Sequence, residues 1–226
     1  MRGALAAAGL SILAAVSAGQ SPDLGAITGR IQLTAHVRGT PLPSNVYQPR
    51  AVQKHARGSI PEIKNVVVYL KGVAFRGVLP TTRAAIHQEH EEFVPRVAVI
   101  TSGSTVVFPN SDPFFHNVFS LSSAAEFNLG RYPQGKAPRP VTITKPGLVK
   151  VYCDIHSHMS ASILVLDHPY FVIPDMDGTF SLPNIPPGRL TVVGWHERVG
   201  ERAVSIEVEA GKLASVELSL PVEDAR

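Results

Sequence analysis

The stretch Leu148-Val-Lys-Val-Tyr-Cys153-Asp-Ile-His156-Ser-His158-Met159-Ser-Ala161 sets how the rest of the chain is read. Leu148 to Cys153 has the pattern of a strand, and Ala161 to Asp167 is a second, apolar one, so the residues between them form a loop at a strand end. That loop holds the only cysteine of the chain, followed by a histidine and a methionine in the spacing C-x-x-H-x-x-M. Soft sulfur ligands together with imidazole select copper over calcium, magnesium or manganese. Two histidines and a cysteine in a plane, with a long axial methionine, make up the electron-transfer type of copper site. One more histidine is needed. His116, just past the break Pro109-Asn-Ser-Asp-Pro113, lies near a strand end from which the fold can deliver it.

Outward from this loop the chain reads as short strands. Ile27, Ile31, Leu33, Ala35 and Val37 alternate with polar residues, and Asn65-Val-Val-Val-Tyr-Leu-Lys-Gly72 is a compact β-branched run. Residues 38–64 read as a long loop. Phe93 to Ile100 and Ser104 to Phe108, joined at Ser102-Gly103, read as a hairpin, and Phe114 to Phe119 as the next strand. Residues 121–140 read as an irregular connection, followed by strands at Val141 to Thr144 and Leu148 to Cys153. Strands and turns then alternate from Tyr170 to Leu220. Nineteen prolines and 18 glycines in 226 residues favour turns over long helices. The predicted class is all-β, a sandwich.

Arg2, the apolar Ala4 to Val16 and the small residues Val16-Ser17-Ala18 predict a signal peptide over residues 1–18, cleaved after Ala18. The apolar run falls short of the roughly 20 residues of a membrane span. The expected mature protein is therefore exported, periplasmic or equivalent, with no membrane span. Losing Arg2 lowers the formal charge from +3 to +2, too little to argue for a nucleic-acid partner. A lone cysteine in an exported protein is either simply buried or occupied by a metal.

Two resemblances enter here. Asn110-x-Asp112-x-x-x-His116-Asn117-Val118 with Tyr152-Cys153-x-x-His156-x-x-Met159 resembles the cupredoxins, the type 1 blue-copper family, and its short ligand loop is of the plastocyanin/amicyanin-like kind. Phe108-Pro-Asn-Ser-Asp-Pro113, Phe127-Asn-Leu-Gly-Arg-Tyr-Pro133 and Met159-Ser-Ala161 look like the methylamine utilization protein-like group. The resemblance implies a Greek-key β-sandwich over residues 86–167 holding one type 1 copper ion. His116, Cys153, His156 and Met159 would be its ligands, with Asn117 tying the two ligand loops together. It implies an electron carrier rather than an enzyme, serving redox partner proteins such as a dehydrogenase, oxidase or cytochrome, with Phe114, Phe115 and Met159 as a docking patch around His156.

The run Asp175-x-Asp-Gly-x-Phe-x-Leu-Pro-x-Ile-Pro-Pro-Gly-x-Leu-Thr-Val192, with Gly25-Ala-Ile-Thr-Gly-Arg-Ile31 and Asn65 to Leu70, resembles the carboxypeptidase regulatory-like (prealbumin-like) module. This implies a second small sandwich, residues 24–76 plus 169–221, interrupted by the first. A cupredoxin followed by an independent C-terminal domain is the simpler alternative. His158 reads as a surface histidine flanking the site. His87-Gln-Glu-His-Glu-Glu92 reads as a solvated connection, with a second metal site there as the alternative. Copper storage without electron transfer, and a cell-envelope module that binds carbohydrate or protein, are the alternative functions.

Overall fold

The protein is described by a computed structural model over residues 23–34 and 61–222. The signal-peptide reading, His36, His55 and most of the expected 38–64 loop lie outside these residues. No α-helix occurs among the described residues, and no helix there is long and apolar enough to cross a membrane.

In chain order the elements are β1 (Gly25–Leu33), a 3-10 turn (Glu62–Asn65), β2 (Val66–Lys71), β3 (Arg83–Ala85), β4 (His87–Glu89), β5 (Glu92–Val94), β6 (Val97–Thr101), β7 (Ser104–Val107), β8 (His116–Ser122) and β9 (Ala125–Tyr132). They continue with β10 (Val141–Ile143), β11 (Gly147–Tyr152), β12 (Ser160–Leu166), β13 (Phe171–Val172), β14 (Thr179–Ile185), β15 (Gly188–His196), β16 (Gly200–Val208) and β17 (Leu213–Leu220).

The middle of the chain builds one sandwich. A five-stranded sheet in the order β6-β12-β11-β8-β9 faces the three-stranded sheet β10-β7-β3 and the small hairpin β4-β5. Phe108, Ile100, Ile143, Ile163, Val149 and Val151 fill the space between, each 1% exposed or less. Alternation along β11 turns Val149 and Val151 inward and leaves Lys150 and Tyr152 outside, which brings Cys153 to the end of the core as the strand stops.

Two local expectations are corrected. β6 and β7 are not a hairpin: β6 pairs in parallel with β12, whereas β7 pairs with β3 and β10 in the opposite sheet. The Ser102-Gly103 turn crosses between sheets. Ser102 donates its amide to Leu166 O, Gly103 donates to Ile143 O, and Gly103 adopts φ +88°, a region open to glycine. Residues 125–132, expected to be irregular, form strand β9 paired with β8. β9 is an edge strand with one face to solvent, and its weak apolar alternation concealed it.

Segments from either side of this sandwich build two further sheets, β14-β1-β17 and β13-β2-β15-β16. Ile27, Ile31, Leu70, Val192, Leu218 and Leu220 lie in the core between them. The continuous apolar run of β2 has a physical reason: both of its faces are covered. Val66, Val68 and Leu70 point into this second core, while Val67 and Tyr69 join Val193 and Trp195 against Val97, Leu164 and Leu166 of the first sandwich. Trp195 is 6% exposed, an anchor of this junction. Glu197, with its side chain only 8% exposed, pairs with Arg96, with Lys150 at 3.3 Å, and accepts from Ser162 Oγ at 3.0 Å, so three residues of the first sandwich hold one carboxylate of the second.

Candidate metal centre

The site sits at the pole of the first sandwich where β8 begins and β11 ends. His116 is the first residue of β8 and fully buried; Cys153 follows β11 directly and is 4% exposed. His156 lies on the next loop, partly exposed. A turn in which Met159 donates its amide to His156 O (3.0 Å) leads into β12, and Met159 is buried in the same core cluster as Cys153.

Three donor atoms converge. Cys153 Sγ is 3.9 Å from His116 Nδ1 and 3.9 Å from His156 Nδ1, and the two Nδ1 atoms are 3.1 Å apart. Among the described residues this is the one group of three or more histidine, cysteine or acidic residues whose ligand atoms gather, within 4.8 Å of one another.

The imidazole of His116 is oriented from behind. Its Nε2–H donates to Asp112 Oδ2 at 2.8 Å, which leaves the Nδ1 lone pair facing Cys153 and His156. Asp112 is 5% exposed. Burial by itself would raise its carboxyl, but hydrogen bonds from the Glu91 amide, the His116 ring and the His90 amide outweigh it, and the group is held below the ordinary carboxylate value. His156 is held below the ordinary histidine value, first by burial and then by neighbouring His116. A thiol and two imidazole nitrogens face one another in a largely buried space, and which of them donates depends on the histidine tautomers. One thiolate and two imidazoles within reach of a single ion are a donor set that fits copper.

Asn117 departs from expectation. Its side-chain nitrogen donates to Asn128 Oδ1 of β9 at 2.8 Å, and its buried Oδ1 has no hydrogen-bond partner. It ties β8 to the edge strand instead of tying the two ligand loops together. Met159, being buried, is no part of the exposed patch; Phe115 (55% exposed), Ile155 (39%) and Phe114 (37%) form the apolar rim. The Phe114 ring lies 5.3 Å from that of His116 and 5.5 Å from that of His156. His158 is half exposed and reaches Glu91 at 3.5 Å. His87, His90 and the neighbouring glutamates assemble no metal group. Asp112 is the residue of the candidate site whose role was not read from sequence; its signal is an acid four residues before a candidate ligand histidine.

No family profile matches the chain. No curated protein matches it either. Among solved structures, amicyanin from Paracoccus versutus is 20% identical over 39% of this chain and 85% of its own, with a TM-score of 0.34. A purple cupredoxin from Nitrosopumilus maritimus is 22% identical over 37% of this chain and 99% of its own (TM-score 0.33). A copper-containing nitrite reductase from Thermus scotoductus is 27% identical over 42% of this chain and 24% of its own (TM-score 0.34). Each of these overlaps less than half of this chain.

Proposed function

We propose that this chain is an exported type 1 copper protein that carries single electrons between redox partner proteins and performs no bond-making chemistry itself. His116, Cys153 and His156 would hold the ion, with Met159 as a fourth ligand. The observation carrying this reading is the convergence of Cys153 Sγ with the two histidine Nδ1 atoms at a buried sheet end. A bound copper ion would supply a one-electron couple; the chain would hold its ligands in one geometry through both valences. Rigidity comes from the strands: His116 is anchored in β8, and Cys153 leaves β11 while that strand is paired with β12 along its whole length. Phe114 packs beside the partly exposed His156, and with the exposed Phe115 and Ile155 it would offer an apolar surface through which a dehydrogenase, oxidase or cytochrome could dock.

The chain organisation in this proposal is a prealbumin-like sandwich, 24–76 plus 169–221, interrupted by a cupredoxin unit at 86–167. The pairing of β2 with β13 and β15 supports it. β3, which pairs with β7, adds residues 83–85 to the inserted unit.

The visible spectrum of the copper-loaded protein tests the function. An intense sulfur-to-copper charge-transfer band, lost in Cys153→Ser and bleached reversibly by a one-electron reductant, is expected. A colourless copper adduct would overturn the electron-transfer reading in favour of storage.

A further inference from the structure

The β4–β5 hairpin has an unusual tip. Its register, Glu89 opposite Glu92, leaves a two-residue turn of His90 and Glu91. Both have left-handed backbone, φ +57° and +59°. Such a turn ordinarily carries Asn-Gly or Asp-Gly, since glycine and asparagine tolerate this region. The other non-glycine residue in this region among those described is Asn184, a residue type suited to it. A histidine followed by a glutamate holds this conformation only where the surroundings impose it.

Those surroundings are a single carboxylate. The His90 amide donates to Asp112 Oδ1 at 2.5 Å, and the Glu91 amide donates to Asp112 Oδ2 at 2.9 Å. The same Oδ2 accepts the Nε2–H of His116. The base of the hairpin is fastened independently. Gln88, fully buried, donates its amide to Pro109 O and accepts from the Ser111 amide, both at 2.9 Å, and its side chain donates to the Tyr132 hydroxyl. Glu91 also reaches His158 on the loop that carries Cys153 and His156.

We infer that the β4–β5 hairpin is the positioning element of the metal centre: the two amides of its left-handed tip aim the Asp112 carboxylate, which in turn fixes the His116 ring with Nδ1 toward Cys153. His90 and Glu91 are positioning residues that act through their backbones. The inference rests on the reading of His116 as a ligand, and the metal-free protein separates the two claims.

The experiment uses the full chain labelled with 15N histidine. Long-range proton–nitrogen correlation in the metal-free wild type should show His116 protonated at Nε2 alone. Glu91→Pro removes one amide and forbids the turn while leaving Asp112 and His116 in place. It should give a mixture of His116 tautomers, and copper affinity, measured by competition with a chelator, should fall about 10- to 100-fold. The double variant His90→Asn with Glu91→Gly keeps both amides and relieves the backbone, and should retain tautomer and affinity with a higher melting temperature. An unchanged tautomer in Glu91→Pro overturns the inference, whatever the affinity does. Should that variant not fold, amide hydrogen exchange of the wild type decides: protected amides at residues 90 and 91 support the clamp, and open-chain exchange at both overturns it. A wild type that binds no copper would end the functional proposal while these readouts still judge the hairpin.

Discussion

Each sandwich contains a buried histidine hydrogen-bonded to a buried carboxylate, and the two pairs serve different ends. In the first, His116 Nε2 meets Asp112 at 2.8 Å; in the second, His196 Nε2 meets Glu62 at 3.2 Å. The contrast lies in the other ring nitrogen. His196 Nδ1 accepts the Arg198 amide at 3.2 Å, and Glu62 is completed by Asn65 (2.6 Å) and Arg198 (2.8 Å), so that network is closed. His116 Nδ1 instead faces a thiol and a second imidazole nitrogen. A buried histidine with both nitrogens satisfied is part of the scaffold. One whose second nitrogen faces a thiol and another imidazole is a candidate ligand.

The contrast can be broken in four ways, beginning with the largest effect. Copper that binds only the folded chain should stabilise it by about 4 kcal/mol at roughly a thousandfold excess over Kd. Denaturant titrations should show that gain in wild type and in His196→Gln but not in Cys153→Ser; a gain that survives loss of the thiol would place the metal elsewhere. Removing one partner from the closed network, as in Glu62→Ala, leaves the buried His196 ring and Asn65 amide without their acceptor and should cost about 3 kcal/mol. The loss should be equal with and without copper in equilibrium unfolding. A copper-dependent loss would mean that the second sandwich participates in the site.

At the junction, Glu197→Gln leaves Arg96 and Lys150 facing a neutral amide and should cost about 1–2 kcal/mol. Fluorescence of Trp195, the single tryptophan, reports whether the junction itself loosens. The smallest effect is the pH dependence of the metal-free protein. Burial, the leading cause, holds His168 and His196 below their ordinary value of 6.5. The unfolded chain therefore takes up protons first as pH falls. The stability from these neutral histidines is complete above pH 6.5 and declines below it. Glu62, lowered from 4.5 by its hydrogen bonds and Arg198 against the opposing cost of burial, adds a further loss only below 4.5. His196→Gln should flatten the slope between 6.5 and 4.5, and an unchanged slope would show that His196 is not buried neutral.

Much of the candidate site was legible because it is local. Cys153, His156 and Met159 share one loop, and spacing along a loop survives any fold. His116 could be nominated because it follows a proline break at a strand start. The hairpin at 87–94 was not legible: its polar, glutamate-rich run looks like a solvated connection, and only tertiary structure shows Gln88 fully buried and the tip closed on Asp112. The apparent hairpin of β6 and β7 misled for a related reason. Two adjacent apolar strands joined by a glycine turn are the same in sequence whether they pair or part, and the choice belongs to distant strands β12 and β3.

The sequence by itself determined an all-β chain and a set of soft donors, because side-chain period and ligand chemistry are properties of neighbouring residues. Tertiary structure alone decided that His116 Nδ1 meets Cys153, that Asp112 turns the ring, and that His196 stays a scaffold residue. Each of these depends on which nitrogen finds a partner, and partners far apart in sequence are assigned only when strands pair.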